Sequence, residues 1–202
     1  MITGPKYKIA RRLGAPIFEK TQTQKYALHL ERKGKKRGFS KPKSEFGLQL
    51  NEKQKARFTY GLSEKQFSNY VKEALSKKTS NASNTIYEFL ESRLDNVIYR
   101  LGFSPTRGGA RQMVSHGHIS VNGRRVNTPS RRMIIGDKIE VTMRSVAKPL
   151  FADLDEKTRK ITPPSWLKFD SIKKVAELQG KPVLTKSENM FDLNAVIEFY
   201  SR

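Results

Sequence analysis

Cysteine is absent from all 202 residues, which excludes disulfide staples, thiolate nucleophiles and every cysteine-ligated metal site. Histidine occurs only three times, too few for a His-rich metal centre or acid–base site. No window approaches the roughly 18 consecutive apolar residues of a membrane-spanning helix. Hydrophobic residues reach 36%, below the roughly 45–50% of an ordinary globular chain, so part of the sequence is expected to lack a core. Acid is scarce as well: 19 Asp and Glu stand against 40 Lys and Arg, a net charge of +21. A compact body with that charge repels itself at low salt, and its natural partner is a polyanion. Met1–Arg12 is basic with no apolar run behind it, unlike a secretory signal. The expectation is a soluble, intracellular, strongly basic protein.

The charge is unevenly spread. Residues 1–50 carry a net +10 and residues 91–150 a net +7, whereas residues 151–202 are almost neutral at +1. Between Thr21 and Ser44 the sizeable apolar residues are Tyr26, Leu28, Leu30 and Phe39, and Arg32–Gly38 is nearly all charge and glycine. Such a stretch buries too little apolar area to offset its ordering entropy. It is expected to be an extended arm that orders on phosphates, rather than a solvated tail or an import tag.

Helical texture begins near Glu45. Phe46, Leu48, Leu50 and Phe58 lead to a stop at Gly61, and Ser63–Gln66 has the capping-box form ahead of Phe67, Tyr70, Val71 and Ala74. A pair of helices is expected over 46–75, followed by a polar linker, Ser76 to Asn84. Thr85–Glu88 offers another capping box, and Leu90, Leu94, Val97, Ile98 and Leu101 form one apolar stripe ended by Gly102. Ser104-Pro105 looks like the start of a further helix burying Ala110, Met113 and Val114, with Arg107 and Arg111 on the opposite face beside Gln112. Gly108-Gly109 fits either close packing against the preceding helix or close approach of a phosphate backbone. Asn122-Gly123 between alternating runs predicts a hairpin with a type I′ turn, with Ile119, Val121 and Val126 on one face. A further strand follows at Lys138–Val141. Arg107, Arg111, Arg124 and Arg125 are expected on one exposed side, where guanidinium forks suit phosphate oxygens.

Ser92–Phe103, Ala110–Ile119 and Val121–Gly123 resemble the RNA-binding domain named after the fourth protein of the small ribosomal subunit. The similarity extends over the chain: Gly4–Gly14 resembles the start of that ribosomal family. Leu48–Leu50, Glu52–Lys55, Tyr60-Gly61 and Lys65–Phe67 resemble its helical region, and Trp166-Leu167 and Val196–Ser201 its tail. The resemblance implies a non-catalytic protein that binds the five-prime domain of small-subunit ribosomal RNA early in assembly. It also implies contacts with neighbouring small-subunit proteins, notably protein five, and a basic lining at the messenger RNA entrance. Lys41 and Lys43, just before Ser44–Gly47, are the candidates for that lining, as lysines where arginine would grip phosphate more firmly. Relatives that fold a zinc use four cysteines, so here the implied cofactor and metal are none. The implied location is the ribosome, cytoplasmic or organellar.

The resulting α+β expectation has a basic extended arm (1–45), a small helical domain (46–84) and an RNA-binding domain of helices packed on a small, mostly antiparallel sheet (85–150). A carboxy-terminal extension (151–202) is expected to cover the sheet edge and return to the helical domain. The candidate RNA contacts are Lys6, Lys8, Arg11, Arg12, Lys35, Lys36, Arg37, Lys53, Lys55, Arg57, Arg107, Arg111, Gln112, Ser115, His116, His118, Asn122, Arg124 and Arg125. Arg93-Leu94-Asp95 superficially resembles the catalytic triplet of pseudouridine synthases, but Leu94 belongs to the apolar stripe, and a salt bridge or helix-to-hairpin bond is the better account of Asp95. A non-ribosomal RNA-binding regulator of translation is the other alternative. His116 and His118 are expected to meet RNA or the turn rather than a metal, since a third ligand is missing nearby. Phe67, Tyr70, Phe89, Tyr99 and Trp166 are expected in or beside the core rather than as base-stacking platforms.

Overall fold

The computed structural model describes residues 4–34, 42–77, 81–154, 158, 162–170, 174–184 and 190–201. The chain divides within one helix into two compact units: residues 1–86 together with 184–202, and residues 87–183.

In the first unit, helices α1 (Lys6–Leu13) and α2 (Gln24–Gly34) stand where an extended arm was expected. Their core explains the difference. Ala10, Leu13, Ile17, Phe18 and Tyr26 bury together with Phe58, which arrives from α3 (Glu45–Thr59). Phe18 meets Phe58 edge-on at 6.3 Å between ring centroids, a geometry worth about 0.5–1.5 kcal/mol beyond the area buried. Asn51 of α3 also donates to the Leu13 carbonyl at 3.1 Å. The apolar residues preceding Thr21 thus supply most of this core, and α2 and α3 add Tyr26 and Phe58.

Helices α3 and α4 (Glu64–Ser76) fall where periodicity places them. Ser44 caps α3 by accepting from the Gly47 amide, and Ser63 caps α4 by accepting from the Gln66 amide. Between them Gly61 adopts the left-handed backbone (φ 64°) that reverses the chain. The last helix, Leu193–Ser201, packs along α3. Phe199 lies 5.4 Å from Phe46, and Gln49 donates to Glu198 at 3.0 Å.

The second unit corrects three local expectations. The stripe from Leu90 to Leu101 is not one helix starting at Thr85. Helix α5 (Ala82–Glu91) begins three residues earlier, with the Asn81 side chain accepting from the Asn84 amide. It then stops, and α6 (Leu94–Arg100) starts afresh. The break is held by a remote segment: the Leu94 amide donates to the Arg131 carbonyl, the Met133 amide to the Ser92 carbonyl, and Arg93 forms a lone antiparallel bridge with Arg132. Helix α7 (Arg107–Ser115) is capped by Thr106, which accepts from the Gly109 amide at 3.0 Å, and not by Ser104. Ser104 is buried and donates to the Thr106 carbonyl.

Strands β1 (Ile119–Val121) and β2 (Arg124–Val126) form the expected hairpin, with φ of 52° at Asn122 and 75° at Gly123. β3 (Lys138–Val141) pairs on the other side of β1, and β4 (Leu167–Asp170) and β5 (Val175–Leu178) continue the sheet in the order β2-β1-β3-β5-β4, all antiparallel. One face of this sheet and helices α6 and α7 enclose a single core running from Leu94 through Ile119 and Ile139 to Trp166 and Leu178. Phe67, Tyr70, Phe89 and Trp166 are all buried, and Tyr99 is half-buried.

Candidate nucleic-acid interface

The residues proposed for RNA contact separate into three groups. Lys35, Lys36, Arg37 and Lys41 lie outside the described residues. In the first unit Lys6, Lys8, Arg12 and Lys43 are exposed, and Arg11 is half-buried. Lys6 holds its ammonium 5.7 Å from the centre of the Phe18 ring, and Lys20, which is not among the sequence candidates, does the same over Tyr7 at 5.8 Å. These lysines present charge while lying over aromatic rings.

Lys53, Lys55 and Arg57 are turned to internal work. Lys53 is 6% exposed. It binds Glu64 at 2.6 Å and sits 4.6 Å from the Phe199 ring centre, so its charge is engaged within the first unit. The Tyr200 hydroxyl donates to the same carboxylate at 3.0 Å. Burial raises the Glu64 pKa, but the hydrogen bonds from Lys53 and Tyr200 and the charges of Lys53 and Arg57 outweigh it, and the net shift is downward. Tyr200 is pushed up by its own burial and by that bond. Lys55 pairs with Glu52 at 2.6 Å, and Arg57 contacts Gln54, Glu64 and the face of Phe58.

In the second unit α7 presents two rows. Arg107, Arg111 and Ser115 recur every four residues, as do Gly108, Gln112 and His116. Arg107 is held rather than loose: its Nε donates to Asn96 at 2.9 Å and its guanidinium lies 4.3 Å above the Tyr99 ring. Asn96 in turn donates to Glu91, which is fully buried and accepts a two-pronged bond from Arg100 at 2.8 Å. A chain of hydrogen bonds from the core therefore fixes a cation at the surface.

The two glycines of this helix have different reasons. A Cβ on Gly109 would strike the Ser104 hydroxyl and crowd that of Thr106, so Gly109 permits the helix start to pack on its own preceding loop. Gly108 is exposed, with only the Thr106 hydroxyl within 4.0 Å of such a Cβ, so close packing does not explain it.

The expectation that Arg107, Arg111, Arg124 and Arg125 share one side fails at the hairpin. Arg124 is paired with core-facing Val121 and Arg125 with Ser120, so the two side chains leave β2 on opposite faces. Arg125 lies across Gly117, where a Cβ would collide with its guanidinium, and donates to the His116 carbonyl at 3.1 Å. Around it His116, His118, Arg144, Lys148, Thr142 and Ser145 line a cavity of about 340 Å³. Arg144 and Lys148 were not foreseen. They join the site because β3 ends at Val141 and the short helix α8 (Met143–Val146) turns back over the start of β1, where the Thr142 amide meets the His118 carbonyl at 2.9 Å. His118 contacts Ser145 through Nδ1 at 2.9 Å, and its pKa is lowered by burial and then by the charges of Lys148, His116 and Arg125. His29, the third histidine, stacks on Tyr7 in the first unit. Among the described residues no group of three His, Asp or Glu side chains could hold a metal.

Asn122 builds the turn instead of reaching outward. Its Nδ2 donates to buried Asp137 at 2.7 Å and its Oδ1 accepts from the Lys138 amide at 2.8 Å. Asp95 is equally committed. Arg93, 1% exposed, grips it with two bonds at 3.0 and 2.7 Å, which leaves that carboxylate tied to a structural partner. No helix among the described residues is long and apolar enough to cross a membrane.

Two short helices followed by a hairpin, with arginines and histidines gathered where they meet, define a protein carrying an S4 domain, and that family description matches residues 92–139. A second, Ribosomal protein S4/S9 N-terminal domain, matches residues 1–91. The chain belongs to the family of small ribosomal subunit protein uS4. It is 38% identical to the uS4 of Herpetosiphon aurantiacus over 209 aligned residues, covering 99% of this chain and 98% of the relative. It is 39% identical to that of Akkermansia muciniphila, covering 99% and 98%, and 39% to that of Aquifex aeolicus, covering 98% and 97%.

Proposed function

We propose that this chain is a non-catalytic constituent of the small ribosomal subunit that binds the five-prime domain of its ribosomal RNA and nucleates assembly of the subunit body. The observation that carries this reading is the end-to-end similarity to uS4 proteins in a chain of net charge +21. Affinity comes from Lys and Arg contacts to phosphates, and selectivity from RNA shape. In the second unit the contacts are Arg107, Arg111, Gln112, Ser115, His116, His118, Arg124 and Arg125, joined by Arg144 and Lys148. In the first they are Lys6, Lys8, Arg11 and Arg12. Lys43 belongs to the messenger entrance, protein five is a neighbour, and the chain resides on ribosomes of a bacterial cytoplasm or an organelle of bacterial descent. The commitment of Asp95 to Arg93 supports the absence of pseudouridine-synthase chemistry.

Sucrose-gradient sedimentation of a lysate at moderate and high salt tests this. Co-migration with the small subunit that survives high salt is expected. Migration near the top, or release at modest salt, would replace the reading with a transient regulator.

A further inference from the structure

The cavity at the meeting point of α7, the hairpin and α8 is lined by three cationic side chains, Arg125, Arg144 and Lys148, by two histidines, and by the hydroxyls of Thr142 and Ser145. None of the described residues lining it is acidic. Such a grouping is unfavourable when empty, because like charges in a partly desolvated recess repel each other. It suits one tetrahedral dianion or monoanion, with guanidinium and ammonium donors on several sides and hydroxyls to fill the remaining positions. His118 forms the inner wall. From the turn that closes α7 it adjoins His116, 5.9 Å away between ring centroids, and from β2 it faces Arg125. From α8 it meets Ser145, with Arg144 on the same cavity, and from the segment beyond α8 it faces Lys148 and the ring of Phe151 at 5.8 Å.

We propose that this cavity holds one backbone phosphate of the bound RNA and that seating the phosphate draws a proton onto His118, so that RNA binding by this unit is proton-coupled. The proposal rests on the RNA-binding reading above and adds to it a location and a regulation. Its physics follows from charge order. Without an anion, burial and then the charges of Lys148, His116 and Arg125 all disfavour the charged form of His118 among the described residues, so the neutral imidazole is favoured. A phosphate inserted among those cations reverses the local sign and stabilises the imidazolium. Nδ1 is engaged by Ser145, and in the imidazolium, where both ring nitrogens carry a proton, the Nε2–H is the donor left for the anion. Linkage then requires affinity to rise as pH falls between the bound-state and free-state pKa values of this one group, by at most about tenfold per pH unit.

The experiment measures the affinity of the full chain for a five-prime-domain ribosomal RNA transcript at several pH values from 6.0 to 8.0, each across a range of salt. The wild type is expected to bind more tightly at the acidic end. His118→Gln, whose amide can keep a bond to Ser145, is expected to flatten the pH dependence, and His116→Gln to retain most of it. Arg144→Ala and Lys148→Ala are each expected to lower the salt slope, by up to about one unit, the share of a single phosphate. A pH dependence equal in wild type and His118→Gln would overturn the proton coupling. Unchanged salt slopes in both cation variants would overturn the phosphate site. Failure of the wild type to bind the transcript at any pH would instead strike the RNA-binding reading itself, so the two failures are distinct.

Discussion

Replacing Asp95 with Ala removes the partner of a guanidinium that is almost wholly enclosed. The two side chains are 1% and 7% exposed, and Arg93 reaches Asp95 through both Nε and a terminal nitrogen. A pair this buried behaves differently from Lys77 and Glu73, whose side chains are 49% and 39% exposed at 3.9 Å and whose loss costs about 0–1 kcal/mol. Leaving Arg93 buried and charged without this carboxylate should cost about 3–5 kcal/mol. For a chain of this size that corresponds to a fall in the melting midpoint of about 6–20 °C. Trp166 is the sole tryptophan and lies in the core of the same unit, so its fluorescence during urea or thermal unfolding reports this unit alone. Removing both charges, as Arg93→Met with Asp95→Leu, should recover more than about 2 kcal/mol of the loss, because the penalty belongs to the unpaired charge. The reasoning is refuted if Asp95→Ala costs under about 1 kcal/mol, or if the single effects add to within about 0.5 kcal/mol.

Gly109→Ala should destabilise α7 through its clash with Ser104, whereas Gly108→Ala should be neutral or stabilising by up to about 1 kcal/mol; paired chemical denaturation curves distinguish them. Asn122→Ala should cost about 1–3 kcal/mol by stripping a bond from buried Asp137, while leaving the salt slope of RNA binding unchanged. Glu64 has a lowered pKa in the folded state, so its contribution is present above its unfolded pKa and is lost as pH falls through the folded one. Glu64→Gln should therefore flatten the acid limb of the stability profile between those two values, modestly because the carboxylate is 47% exposed. Acid titration followed by circular dichroism, compared with the wild type, checks this.

What could be read from the sequence was local. The hairpin was legible because Asn122-Gly123 admits few other conformations, and α3 and α4 because their caps and apolar spacing agree. Trp166 was correctly expected in the core. The helices of the amino-terminal segment were not legible, since their core is completed by Phe58, more than thirty residues onward from Tyr26. The interruption at Ser92-Arg93 was hidden because it is imposed by residues 129–133 through backbone bonds that leave no periodic trace. The candidate site was half legible for the same reason. Charge spacing picked out Arg107, Arg111, His116, His118 and Arg125 as candidates, and the structure gathers the last three around one cavity. It carried no sign that Glu64 and the last helix engage Lys53, or that chain reversal at α8 brings Arg144 and Lys148 to the cavity.

The pairing of α3 with the final helix also fixes a calendar for the newborn chain. Gln49 and Glu198 are 149 positions apart, so at about 5–20 residues per second α3 waits on the order of ten seconds for its partner to be translated. Residues 87–183 need no such late arrival, because every strand of their sheet is already in hand. The portion synthesised second is thus able to mature first. The portion synthesised first stays unfinished, with Phe46 and Phe67 lacking their aromatic neighbours, until Phe199 and Tyr200 leave the exit tunnel.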